Sequence, residues 1–470
     1  MPMLTSTLNH NKISAVIKFL SVTAIVISAF CRPLTASAMS IFEDPLRIIN
    51  DSDDFRVCYE TQISSEQSLS LENIIVLAIC NNPSLRQTYM QAKATAAAHG
   101  QALSAYMPQV RAGADIARTS SDTSITPRTY SSPVSGNISL SWLLFDFGAT
   151  PANTERTKQN LLAANFSLNY ALQNTIYSVA ESYYNLLGTI EVIKSVKANE
   201  ESAKLAFEAA SKRFELGLVS LSDKLQAETA YGQTQLAVTR AENNMQISLG
   251  RLLALLNLPP YTKLNIAPFA SDIKELQFQK DIKELIQDAL AKRQDLAAKQ
   301  AEIKAAKASL DYARRKNLPT VSLFGNTGAS DRIHRDHADS TNWRVGAEIS
   351  VPLFTGFNDT YSITQSRYQY EGAKADLART EKAVELDVWN SYQDYTTAIK
   401  NYEISIKLFV SAAESERVAL GAYKAGKGSI LNLLNSQSQL ATARVEKTSA
   451  IYNVFIAKSN LLRALSILEE

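Results

Sequence analysis

The chain says the same thing twice. A shift of 211 residues places Ala78, Leu85 and Pro108 on Ala289, Leu296 and Pro319. Beyond one loop the shift becomes 209. Leu144-Phe145 then falls on Leu353-Phe354, Ser182-Tyr183 on Ser391-Tyr392, Phe214 and Gly217 on Tyr423 and Gly426, and Leu252-Leu253 on Leu461-Leu462. A duplication that stays in step this far, with its one length change in a loop, means two copies of one unit side by side. It overrides the two or three domains that 470 residues alone suggest.

Each copy reads helix, strand, loop, strand, long helix, break, helix. The first helix is expected over about Leu71 to Tyr106, and its counterpart over about Asp281 to Lys316. Both stop at a proline, Pro108 or Pro319, which removes an N–H and disfavours helix in the residue before it. Period-two alternation follows, with strands expected at about 108–118, 134–145, 319–328 and 343–354. Val110, Ala112, Ala114 and Ile116 alternate with Gln109, Arg111, Gly113 and Asp115. Thr119 to Pro133 reads as a polar loop. Ile138, Leu140, Trp142 and Leu144 then alternate with Asn137, Ser139 and Ser141, and Trp343, Val345, Ala347, Ile349 and Val351 with Arg344, Gly346, Glu348 and Ser350. This pattern suits a membrane β-strand with one face to lipid. On alternation alone an ordinary amphipathic hairpin on a soluble core is the plainer reading.

Thr150-Pro151 reads as a helix cap followed by proline at the first helical position. No proline occurs from Ala152 to Leu258. Leu172, Ile176, Val179, Tyr183, Leu186, Ile190 and Ile193 make a heptad seam, repeated by Val388, Tyr392, Tyr395, Ile399, Tyr402, Ile406 and Phe409. A helix from about Thr154 to Phe214 is about 90 Å long, more than an ordinary globular domain. Each long helix breaks once, at Arg213 to Leu218 and at Ala422 to Gly428, where glycine suits a helix end. Ser220 with Asp223 resembles a capping box for the helix that follows. Four membrane-type strands are too few to close a barrel, and an open sheet edge cannot sit in lipid, so chains of this kind must associate.

The N-terminus reads as a secretory signal peptide, residues 1–38. Lys12 and Lys18 precede the apolar run Phe19 to Phe30 and the small-residue site Ala36-Ser37-Ala38. Cys31 follows Phe30, which does not suit a lipoprotein site. Residues 39–70 form an N-terminal arm. Two cysteines remain, Cys58 and Cys80. An even count in an exported protein favours a disulfide, the alternative being two free buried thiols. Lys+Arg is 48 and Asp+Glu 46, which gives no reason to expect a nucleic-acid partner.

No chemistry-bearing motif survives inspection. Gly421, Gly426 and Lys427 have phosphate-loop spacing, but Gly428 stands where Ser or Thr would hold magnesium. His334 and His337 read as a solvated loop, and no metal or other cofactor is expected. His99 is the other histidine of the mature chain, and no Ser/His/Asp or Cys/His set accompanies it. The chain is not expected to be an enzyme.

Several stretches together resemble the TolC-like outer-membrane efflux and secretion channel family, along almost all of the mature chain. They are Ala78 to Leu85 (AICNNPSL), Ala105 to Pro108, Leu143 to Gly148 (LLFDFG), Ala180 to Leu187 (AESYYNLL), Arg213 to Asp223 (RFELGLVSLSD), Ser350 to Gly356 (SVPLFTG) and Ala422 to Leu434. The resemblance implies an α+β membrane protein in two repeats, 71–257 and 281–470, joined by a mid-height linker at 258–280. It implies a homotrimer in the outer membrane of a Gram-negative bacterium. Four transmembrane strands per chain would complete a 12-stranded β-barrel in outer-membrane lipid, and long antiparallel coiled-coil helices would form a periplasmic α-barrel. The implied function is a passive exit duct of a tripartite export system, for type I protein secretion or multidrug efflux. Its implied partners are a periplasmic adaptor and an inner-membrane ABC or proton-driven transporter. A cysteine pair placed like Cys58 and Cys80 looks like the subgroup linked to type I secretion. A secreted soluble coiled-coil scaffold is the alternative in a different class.

The resemblance also implies site residues at the hairpin tips. Tyr423 matches a tyrosine of the family's gate network, and Asp223 an aspartate on the first hairpin. Gly428 stands where the best-known member has arginine, and Asn432 and Asn435 where it has two aspartates. Asparagines neither bind cations nor repel one another as a ring of carboxylates does, so an acidic cation-binding ring is expected to be absent. Lys427 joins Tyr423, Asp223, Asn432 and Asn435 as a gate candidate. Gly217, Leu218, Val219, Gly426 and Gly428 are the expected adaptor-docking tips.

Overall fold

The computed structural model describes residues 68–122, 128–131, 133–267, 281–332 and 340–467. The signal peptide, Cys58, most of the N-terminal arm, His334, His337 and much of the linker lie outside the described residues.

The first helical segment is two helices, α1 (Leu71–Asn81) and α2 (Pro83–Leu103), not the single helix expected from periodicity. The reason is local. Asn82 is in an extended conformation and its Oδ1 accepts from the amides of Ser84 and Leu85, while Pro83 takes the first helical position. The second copy breaks at the matching residue, Arg293. There the backbone is again extended, between α5 (Ile282–Lys292) and α6 (Gln294–Arg315). The two breaks share an anchor. Asn82 Nδ2 donates to the Leu255 carbonyl at 3.3 Å, and Arg293 Nη1 donates to the Ala464 carbonyl at 3.2 Å. Leu255 and Ala464 are themselves equivalent under the 209-residue shift.

Each long hairpin pairs a 67-residue helix with a 35-residue one: α3 (Ala149–Glu215) with α4 (Leu221–Leu255), and α7 (Asn358–Lys424) with α8 (Ile430–Ala464). At 1.5 Å per residue the longer helices span about 100 Å. The heptad seam lies inward: Val179, Tyr183 and Leu186 are buried in α3, and Val388 and Tyr395 in α7. The start of α3 departs from expectation. Gly148 with φ +88° occupies the cap position rather than Thr150, and the Asp146 carboxylate accepts from the amides of Gly148 (3.1 Å) and Thr150 (2.5 Å).

Four strands form one antiparallel sheet in the order β1 (Gln109–Ile116), β4 (Pro133–Phe145), β5 (Thr320–Arg332), β6 (Ser340–Ser350). The stretch expected to be a plain loop instead contributes a two-stranded ribbon, β2 (Thr119–Ser121) with β3 (Thr129–Ser131). Register sorts the sheet into two faces. Val110 lies opposite Leu140, Leu140 opposite Gly325, and Gly325 opposite Val345. Arg111 lies opposite Ser139, Ser139 opposite Asn326, and Asn326 opposite Arg344. Directly opposed residues project to the same side, so the first row belongs to an apolar face and the second to a polar one. A bulge at Leu143/Phe145 sets Phe145, rather than Leu144, opposite Val321. The apolar face is bare, with Val110, Ile116, Trp343, Val345 and Ile349 all exposed. Among the described residues the strands β1 and β6 are sheet edges without a partner strand. Among the described residues no helix is long and apolar enough to cross a membrane.

Candidate functional site at the hairpin tips

Both tips are built by the same glycine turn. Gly217 (φ +69°) and Gly426 (φ +74°) adopt the left-handed conformation that ends a helix. Around them Gly217 N bonds Phe214 O and Leu218 N bonds Arg213 O, while Gly426 N bonds Tyr423 O and Lys427 N bonds Ala422 O. Chain direction then reverses and a serine opens each return helix. In the first tip Ser220 Oγ accepts from Asp223 N, and the Asp223 carboxylate accepts from Ser220 N, at 3.2 and 3.1 Å. Asp223 therefore closes a capping box, a local role that accounts for its carboxylate. In the second tip Ser429 Oγ accepts from Asn432 N at 3.2 Å.

The two tips touch through a small apolar cluster of Ala206, Ala210, Ala227, Tyr423, Ile430 and Leu433. Tyr423 is 4% exposed, and its hydroxyl is buried without a hydrogen-bond partner among the described residues. The guanidinium of Arg213 lies 4.3 Å from the Tyr423 ring centroid, and Arg213 Nη2 donates to the Lys424 carbonyl. Sequence reasoning picked out Tyr423 but saw Arg213 only as part of a motif. The cation over the tyrosine comes from the opposite repeat, and the duplicated pattern gives no sign of a contact between repeats. Gly428 is packed tightly: a Cβ there would sit 3.0 to 3.1 Å from Tyr423 N and from the carbonyl carbon and Cβ of Ala422. Any side chain at 428, an arginine included, needs the turn to shift.

The remaining candidates face outward. Gly217, Leu218, Gly426, Lys427, Asn432 and Asn435 are exposed, whereas Val219 and Gly428 are half-buried. Leu216, Leu218, Leu221, Leu225 and Leu431 form an exposed apolar cap. Beside it a groove of about 580 Å³ is lined by Leu221, Leu225, Leu431 and Leu434 with Gln226, Thr229 and Gln233.

The Arg213–Tyr423 contact predicts a difference between two substitutions. Arg213→Ala removes the cation from the ring, worth about 1 kcal/mol at a partly exposed site. Amide exchange at 216–219 and 425–428 should then quicken about fivefold. Tyr423→Phe removes only an unbonded hydroxyl and should leave exchange unchanged. Equal acceleration by both would show that the cation–ring contact is not what holds the tips.

Comparison with known proteins agrees with the geometry. The model of the family described as outer membrane efflux protein matches twice, over residues 74–258 and 285–466. The chain is 27% identical over 402 residues to protein CyaE of Bordetella pertussis, covering 85% of this chain and 83% of that protein. It is 24% identical over 423 residues to outer membrane protein TolC of Escherichia coli, covering 87% and 84%. Among solved structures it superposes on the Campylobacter jejuni CmeC outer membrane channel with a TM-score of 0.76 at 18% identity, covering 84% of this chain and 85% of that one.

Proposed function

This chain belongs to the outer membrane efflux protein family, and from that premise we propose that it is a passive, trimeric exit duct of a tripartite export system. The observation that carries the reading is the four-stranded sheet. One of its faces is apolar and bare, the other polar, and both of its edges are open. Unpaired backbone N–H and C=O groups cannot face hydrocarbon, so the edges must pair with those of other copies. Three copies give 12 strands, within the range of closed membrane barrels. The apolar face then meets outer-membrane lipid, the polar face lines the lumen, and the helices project together into the periplasm.

In this reading the hairpin tips are the far end of the duct. Tyr423, held by Arg213, and the neighbouring Lys427, Asn432 and Asn435 form its gate, with Asp223 confined to shaping the first tip. The exposed leucines around Gly217, Leu218, Val219, Gly426 and Gly428 are the docking surface for a periplasmic adaptor. The adaptor couples the duct to an inner-membrane ABC or proton-driven transporter, which supplies the energy. A bridge from Cys58 to Cys80, tying the N-terminal arm to α1, belongs to the same reading and is supported by Cys80 not being a free thiol.

The test is reconstitution. Protein extracted from outer membranes should run as heat-resistant trimers and conduct ions in planar bilayers. A soluble monomer or dimer without conductance would sink the duct in favour of a secreted coiled-coil scaffold.

A further inference from the structure

The two tips differ in charge. From Arg417 to Val445 the second hairpin has no carboxylate, whereas the matching stretch 208–236 of the first holds Glu208, Glu215, Asp223 and Glu228. Across the two turns, 210–227 and 419–436, five basic side chains (Lys212, Arg213, Lys224, Lys424 and Lys427) stand against two acidic ones, Glu215 and Asp223. Asp223 is already engaged by its capping box. Arg213 lies over Tyr423 and Lys224 over Phe214. Lys424 and Lys427 are exposed at the turn itself, and among the described residues no carboxylate lies within ion-pair distance of either. Arg417, one turn and more up the helix, is paired with Glu414. The polar face of the sheet carries both signs by contrast, Arg111 and Arg344 with Asp115 and Glu348.

We propose that the hairpin tips form an anion-selective constriction whose sign is set by Lys424 and Lys427. The inference rests on the trimeric duct, in which three copies bring six such lysines around one axis. A narrow passage with low-dielectric walls focuses the field of its fixed charges and enriches the counter-ion. Asn432 and Asn435, one helical turn on, add no opposing charge. The field is screened over about 10 Å at 0.1 M salt, so selectivity should be strongest in dilute electrolyte.

Reversal potentials of the reconstituted trimer in a dilute KCl gradient test this. The chloride-to-potassium permeability ratio should exceed about 2 in the wild type and fall to about 1 in K424Q/K427Q. In K424E/K427E it should invert. Tripolyphosphate added on the tip side should block the wild type, with block about tenfold weaker in K424Q/K427Q. Trimers on semi-native gels confirm that each variant assembles. A wild-type channel that prefers potassium, or an unchanged ratio in K424Q/K427Q, overturns the proposal. Absence of any conductance overturns the duct itself and the selectivity with it, so the two failures are distinguishable.

Discussion

If the proposed trimer forms, replacing Leu236 and Ile247 by glutamate should convert it to monomers. The argument comes from the duplication. The two residues belong to a row on α4, Leu225, Leu236 and Ile247, spaced by 11 and all exposed. Under the 209-residue shift their counterparts on α8 are Leu434, Val445 and Ile456, and each of those packs against an apolar cluster within the chain. The α8 row is covered because α8 lies along α3, where Thr448 meets Ser195 and Arg444 meets Asn199. The equivalent pairing of α4 with α7 is not made within one chain. On α7 the positions equivalent to Ser195 and Asn199 are Ile404 and Leu408, and both are exposed. Both halves of an interface are thus present and unpartnered, α4 on one side of the protomer and α7 on the other. A second copy satisfies both, and a ring of copies closes. Burying a leucine or isoleucine side chain contributes about 1.5–3 kcal/mol, so losing two per interface costs about 4 kcal/mol before the penalty for burying the new charges. Light scattering in detergent reads the outcome. Leu205→Glu is the control: Leu205 is as exposed as Leu236, but its counterpart is Glu414, itself exposed. It should leave the trimer intact. Trimers that survive Leu236→Glu/Ile247→Glu would remove the argument from pseudo-symmetry.

How much of this was legible in the sequence follows from which signals are periodic. The heptad seams and the strand alternation repeat over tens of residues, so the long helices and the four strands fall close to where the pattern puts them. What depends on one residue's conformation carries no such repeat. The Asn82-Pro83 break interrupts no apolar period, because helices on either side of a single extended residue keep similar spacing. The cap of α3 comes from Asp146, outside the helix, where Thr150-Pro151 offered a nearer candidate. The β2–β3 ribbon is too short and polar to alternate. At the tips, the glycines and the Ser220 cap announce the turns, whereas the Ser429 cap shows only in the fold. The contact of Arg213 with Tyr423, however, joins residues 210 positions apart in different repeats, and no local pattern encodes it. The same is true of Arg293. No motif in the sequence singles it out, yet the fold buries it at the break between α5 and α6.

That buried arginine makes Asp387 a carboxylate on which the stability of the second repeat depends. Asp387 on α7 bridges two guanidiniums: Arg293 Nη1 at 2.6 Å and Arg463 Nη2 at 2.8 Å. Arg293 also holds Asp295 at 2.8 Å and the Ala464 carbonyl, and Arg463 lies over the Tyr177 ring of α3. The cluster therefore ties the α5–α6 break to α7, the end of α8 and α3. The Arg293 side chain is only 5% exposed. Asp387→Ala leaves that charge with a single carboxylate partner, and breaking a buried pair costs about 3 kcal/mol or more. Asp387→Asn keeps the volume and one acceptor oxygen, for a single arginine, and sets its NH2 against the other, so it should cost less than alanine while losing the charge. The pH dependence separates charge from packing. Burial alone pushes the Asp387 carboxyl upward, but hydrogen bonds from Arg463 and Arg293 outweigh it and hold the pKa below its ordinary 3.8. A carboxylate whose pKa is depressed on folding adds stability that is fully present above its unfolded pKa. That stability is lost as pH falls through the folded value. Wild-type stability, read by denaturant unfolding, should therefore decline below about pH 4, and Asp387→Asn should show a shallower decline. The solvent-facing pairs of Asp376 and Glu414 are exposed to screening and should contribute little to that slope. If Asp387→Asn matched the wild-type slope from pH 7 to pH 3, the cluster would be a passive contact, and the acid sensitivity would have to arise elsewhere in the assembly.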